Sequence, residues 1–150
     1  MARYAQTFSR TASTNTTVGS LVCSTVTAGR RGKLYELTVG CSGAPADNIF
    51  QWGVGRITAA GTSTAVTPTA IDPADTAYLG LAGQNHTVEP TYTAGQTVLT
   101  IDLNQRATFR WVAAPYGELV YPATNANGFG IRTPVATALA VDAAAFIEEQ

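Results

Sequence analysis

The chain is poor in charge, histidine and lysine. Asp, Glu, Lys and Arg make up 13% of its 150 residues, where about 25% is usual. Lys33 is the only lysine, His86 the only histidine, and Cys23 and Cys41 the only cysteines. Each shortage excludes something. At a net charge of −1 there is no basic stripe to neutralise phosphates, so nucleic acid is not an expected partner. No apolar run approaches the ~20 residues of a membrane span, so a membrane is not one either. One His and two dispersed Cys do not supply the three or four ligands of a zinc site at a usable spacing. Paired titratable groups for acid–base catalysis are missing, and so is the Gly-x-Ser-x-Gly elbow. The sequence therefore predicts no enzyme and no cofactor. "MARYAQTFSR" lacks the apolar core of a signal peptide, which predicts synthesis and retention in the cytoplasm. Reduced, mostly buried thiols are then expected at Cys23 and Cys41.

What is present is hydrophobic and Thr-rich. Hydrophobic residues reach 45%, and a chain of this length buries roughly 68–70% of its unfolded surface without a disulfide or metal. Thr and Ala together supply about a third of the residues. A surface so low in charge suits a protein covered by copies of itself or by a large partner.

Strand patterns dominate. "KLYELTVGC" alternates, with Tyr35, Leu37, Val39 and Cys41 on one face. "NIFQWGVGRIT" sets Phe50, Trp52 and Val54 on one face, and "TVLTIDL" does the same with Leu99, Ile101 and Leu103. "RATFRWVA" predicts Phe109 and Trp111 inward, with a tight Asn104-Gln105 hairpin turn before it. "VGSLVCSTV" is a weaker, β-branched strand. The tail, "TALAVDAAAFIEEQ", carries a period-2 row that favours a strand over about 138–145, with Glu148 and Glu149 as a solvated end. Turn chemistry joins these runs at "TAGRRG", "SGAPADN" and "YTAGQ". Short strands at regular spacing predict an all-β fold: a single-domain, jelly-roll-like β-sandwich over residues 18–150. Residues 1–17 are expected to form a flexible N-terminal arm.

Several motifs reduce to local structure. "GRRGK" lacks the glycine spacing of a phosphate loop and leads into a strand. His86, in "GQNHTVE", is expected as a solvated or hydrogen-bonded turn residue. Asp72 and Asp75, in "IDPADT", are too few for a calcium site; they fit a turn before and after Pro73. "NTT" at Asn15 and "NHT" at Asn85 match glycosylation acceptors only in a secretory setting.

Three stretches fit contact with a partner. The arm carries Arg3, Tyr4 and Phe8, anchors of the type that interfaces favour. Arg30, Arg31 and Lys33 form a basic turn suited to an acidic partner. The Thr58–Gly80 stretch, with Thr67, Pro68, Asp72, Pro73 and Asp75, is expected as a turn, then an edge strand over 66–71, then a stiff exit.

The run Glu36 to Ala77, "ELTVGCSGAPADNIFQWGVGRITAAGTSTAVTPTAIDPADTA", resembles small structural proteins of tailed-bacteriophage head modules. The matching positions are Pro45 to Asn48, Arg56, Thr58 to Thr62, Thr67, Pro68, Asp72 and Pro73. The resemblance implies a capsid decoration (cement) protein on the outer surface of the virion head, made in the bacterial host cytoplasm. It implies a homotrimer that stabilises contacts between copies of the phage major capsid protein. It supplies no catalytic residue; the matching positions shape a hairpin and loop. A different virion role, a head-fibre or tail subunit that binds host glycans, would need an exposed aromatic shelf. Trp52, Trp111, Tyr116 and Tyr121 are the candidates for that.

Overall fold

The computed structural model describes residues 1–24 and 29–150. Its strands are β1 (Ala2–Ala12), β2 (Thr16–Val22), β3 (Gly32–Cys41), β4 (Ile49–Ala59), β5 (Thr62–Val66), β6 (Thr69–Ala70), β7 (Leu81–Val88), β8 (Thr91–Asn104), β9 (Phe109–Val112), β10 (Leu119–Tyr121), β11 (Gly128–Val135) and β12 (Leu139–Glu149). They form two antiparallel sheets packed face to face, with no helix among the described residues. One sheet runs β10–β3–β12–β1–β6, with β9 continuing the β10 edge along β3. The other runs β5–β7–β2–β11–β4–β8.

The pairing is nested. β1 pairs with β12, β2 with β11, β3 with β9 and β10, and β4 with β8. The chain is thus a long hairpin folded over on itself, its strands alternating between the two sheets of a β-sandwich. β5, β6 and β7 are an insertion between β4 and β8. β6 extends the first sheet beside β1, and β5 and β7 extend the second beside β2.

The inner faces meet in one core. Phe50, Trp52 and Val54 enter from β4, Phe129 and Ile131 from β11, and Leu37 and Val39 from β3. Aromatic rings seat on glycines of the facing backbone. Phe8 of the first sheet lies against Gly19 of the second, where an added Cβ would stand 2.4 Å from the ring. Within the first sheet, Tyr121 covers its cross-strand partner Gly32.

Several expectations need correcting. Residues 2–12 are not an arm. They form β1, hydrogen-bonded on both sides between β12 and β6, and the domain includes them. Tyr4, Gln6, Phe8 and Ala12 alternate inward, so this strand fills the middle of the sandwich. The tail runs as strand through Glu149, and Glu148 and Glu149 are buried instead of solvated. The turn at Asn104 exists, with Ala107 N donating to Asn104 O at 2.9 Å. It makes no hairpin, because β8 and β9 belong to different sheets and the chain crosses over there. Phe109 is 43% exposed on the β9 edge, not inward. On β3 a register shift opposite Phe146 and Ile147 turns Leu34 inward and Tyr35 out. The edge strand expected over 66–71 is two strands. β5 ends at Val66 in the second sheet, β6 begins at Thr69 in the first, and buried Pro68 lies at the crossing. Thr25 and Val26, read as the end of a strand, and Thr27 and Ala28, read as the start of the basic turn, lie outside the described residues.

Candidate interaction surface

The register brings three distant stretches to one end of the sandwich. Ala2 pairs with Glu149, and Glu149 pairs with Gly32, so the starts of β1 and β3 meet the end of β12. Alternation then sends Arg3 outward beside inward Tyr4. The Glu148 carboxylate bridges two cations: Oε2 lies 3.3 Å from Arg3 Nε, and Oε1 lies 3.7 Å from Lys33 Nζ. The Arg3 guanidinium also sits over the Tyr35 ring, 5.5 Å from its centroid. These groups and Glu118 frame a cleft of about 180 Å³.

The loop after β6 docks on the same pole. Ile71 N donates to Arg3 O at 2.8 Å, and Arg3 N donates to Asp75 Oδ2 at 3.4 Å. Asp72 caps its own turn, accepting Ala74 N at 2.9 Å through Oδ1. Tyr4 donates its hydroxyl to Thr76 O at 3.0 Å. Burial raises this phenol, and the hydrogen bond to Thr76 works against the rise. Glu149 accepts Gly80 N at 2.8 Å and Leu79 N as well, which ties the exit of the loop to β12. Tyr78 and Tyr121 share a buried hydroxyl–hydroxyl bond of 2.8 Å. Burial pushes both phenols far up, so the pair stays neutral.

Of the residues singled out in the sequence, Arg3, Arg30, Arg31, Lys33, Asp72 and Asp75 belong to this pole, and Pro73 is exposed within its loop. Gln150 N donates to Arg31 O at 2.9 Å, which places Arg31 beside the chain end. Arg30, Arg31 and Asp72 enter no ion pair among the described residues. Thr67 is exposed on the flank. Tyr4, Phe8 and Pro68 are not contact residues: all three are buried, the first two in the core.

A second polar cluster holds the inserted strand β7 in place. Arg10 donates to Thr17 O at 2.6 Å and to His86 O at 2.9 Å, and pairs with Glu89 at 3.0 Å. Glu89 in turn accepts Thr17 N at 2.9 Å. His86 is in β7, not a turn, and it is buried, with Nε2 3.0 Å from Ser20 Oγ. Burial lowers its pKa. Each group is bound to backbone or to a strand neighbour, so the cluster fastens strands together.

The aromatic shelf is not assembled. Trp52 and Tyr121 are core residues, Trp111 is half-buried, and Tyr116 stands alone, 99% exposed. A groove of about 520 Å³ crosses the first sheet and is lined by Thr7, Thr38, Cys41 and Asp142 among others. The thiols are free. No group of three or more His, Cys, Asp or Glu that could hold a metal occurs among the described residues. No helix among them is long and apolar enough to cross a membrane.

One feature escaped the sequence. Glu148 organises the pole because the register sets it beside Arg3 and Lys33, more than a hundred residues away. Of the four shelf candidates, Tyr116 is the one that is fully exposed. Comparison of the chain with protein-family models, curated proteins and solved structures finds no match in any of the three.

Proposed function

We propose that this protein is a capsid decoration protein of a tailed bacteriophage, seated on the outside of the head and clamping neighbouring copies of the major capsid protein. The observation that carries this is the pole. Arg3, Arg30, Arg31, Lys33, Asp72 and Asp75 come from three separate stretches and converge on one end of a rigid sandwich. Part of that end is prearranged by hydrogen bonds within the chain, so docking orders little that is not already ordered. Among the described residues Arg30, Arg31 and Asp72 enter no ion pair there, which leaves charge for contact with neighbours in the assembly, a contact that weakens with salt.

The resemblance of Glu36 to Ala77 to head-module proteins agrees with this role. Arg56 in that run donates to Val120 O at 2.8 Å and ties β4 to β10 across the sandwich. Each contact is weak, but repetition over a symmetric shell makes the sum effective. The copies are proposed to sit as a homotrimer on the virion, so that one clamp reaches several capsid subunits.

Undecorated phage heads mixed with the purified protein test the proposal. Co-sedimentation with the heads, and heads that then survive a higher temperature, are expected. Heads that neither carry the protein down nor gain heat resistance would sink it.

A further inference from the structure

The two flanks of the sandwich carry different and complementary surfaces. On the β9–β10 flank the edge strand is interrupted by residues 113–118, and Tyr116 projects fully into solvent from the tip. Its backbone is left-handed, φ 66°, inside a turn closed by Gly117 N donating to Ala114 O at 2.8 Å. A bulky residue in that region is unfavourable, and an observed outlier at an exposed tip points to a function for the side chain. Val112, 53% exposed, extends the apolar surface along the same edge.

The opposite flank carries a groove of about 450 Å³ over the paired strands β5 and β7, lined by Val66, Pro68, Leu81 and Ala82. Leu81 is 56% exposed at its mouth. Knob and groove stand at the same height. Leu119, just after the Tyr116 turn, pairs with Leu34, Leu34 with Ile147, Ile147 with Tyr4, and Tyr4 with Ala70, next to the groove. One rung of the sheet thus runs from one feature to the other. Charge follows the same plan. Arg30 and Arg31 precede Gly32, which pairs with Tyr121 on the knob flank, while Asp72 follows β6 on the groove flank.

We infer that the occupant of the groove is a second copy of this chain. Tyr116 of one copy enters the β5–β7 groove of the next, and Arg30 and Arg31 of the first face Asp72 of the second. The contact is head-to-tail, with a rotation inferred to close, which gives a ring of identical copies where an open rotation would give a filament. The inference rests on the proposed self-assembly and specifies the surface through which it happens.

Analytical ultracentrifugation of the full chain reads it. Wild type is expected to associate into a closed oligomer in a concentration-dependent way. Tyr116→Gly removes the ring and suits the left-handed backbone. It is expected to associate about 30-fold more weakly, as loss of a buried tyrosine anchor does, with an unlowered Tm. Arg31→Glu is expected to weaken association and Arg31→Glu with Asp72→Arg to restore it. A mixture of Tyr116→Gly and Leu81→Arg chains is expected to yield 1:1 pairs and nothing larger, since each pair holds one intact knob and one intact groove. A wild-type monomer at every concentration, or a Tyr116→Gly chain with the wild-type mass distribution, overturns the inference. Association that obeys these variants while heads take up no protein defeats the capsid proposal alone. Heads that take up protein while Tyr116→Gly associates as wild type does defeat this inference alone.

Discussion

The flanks of this sandwich solve the same problem in two ways. Each sheet ends in edge strands with unpaired backbone groups, an invitation to pairing with other chains. On one flank the insertion from β5 to β7 and the loop to Gly80 close the gap. Pro68 is buried at the crossing, Tyr78 bonds Tyr121, and Glu149 holds the loop's backbone. On the other flank the edge is short and broken, and Phe109, Val112 and Tyr116 are left in solvent. The difference teaches two ways to finish an edge: the first flank is fastened by buried bonds although Leu81 and Val88 stay exposed on it, and the second is left short with its apolar side chains in solvent.

Substitutions should separate the two. The largest effect is expected for Tyr78→Ala on the closed flank. It deletes a buried ring and leaves the Tyr121 hydroxyl without its partner, a loss of about 3–5 kcal/mol in urea unfolding. Tyr116→Ala in the same assay should cost under about 0.5 kcal/mol, as exposed sites do. Equal losses would erase the distinction. Next comes Gly19→Ala, which pushes a methyl group into the Phe8 ring. Overpacking of this kind costs about 1–3 kcal/mol, and an unchanged unfolding midpoint would show that β1 and β2 can move apart.

A third effect is pH-dependent. Burial holds His86 below its ordinary pKa, with Arg10 acting the same way and Glu89 opposing. The folded state therefore favours the neutral ring. Stability is full above about pH 6.5, the ordinary value, and falls as pH drops below it, because the unfolded chain takes up a proton that the fold refuses. Thermal scans at pH 7.5 and 5.5 should show a lower Tm at the acid value for wild type and a smaller drop for His86→Gln. A wild-type Tm that rises toward pH 5.5 would contradict the buried placement of β7.

The smallest effect on stability belongs to the pole. Arg3→Ala removes an ion pair whose cation is largely exposed, worth under about 1 kcal/mol. Its head binding should nevertheless weaken, and more so in Arg3→Ala with Lys33→Ala. A double variant that binds heads as wild type does would move the capsid contact away from this pole.

How far the sequence foretold this is best seen strand by strand. β4 was legible because Phe50, Trp52 and Val54 alternate without a break and all turn out buried. β1 carries the same alternation in Tyr4, Gln6 and Phe8. Its polar outward face resembles an arm, and its partner β12 lies at the far end of the chain, where no local pattern announces the pairing. The turn at Asn104 was legible as a turn; local chemistry does not say which sheet the chain enters next. On β3 one irregular register step exchanged Leu34 for Tyr35, since a single slip reverses the faces of a strand. At the pole, the charged residues could be named from their stretches. Their convergence through Glu148 depends on long-range register and could not.

The most direct test of the central claim is an electron cryo-microscopy map of phage heads incubated with the protein. The expected map shows copies on the outer surface, the pole of Arg3 and Lys33 against the major capsid protein and the flanks against one another. Density inside the shell or at the tail, or heads bare of the protein at saturating concentration, would contradict it.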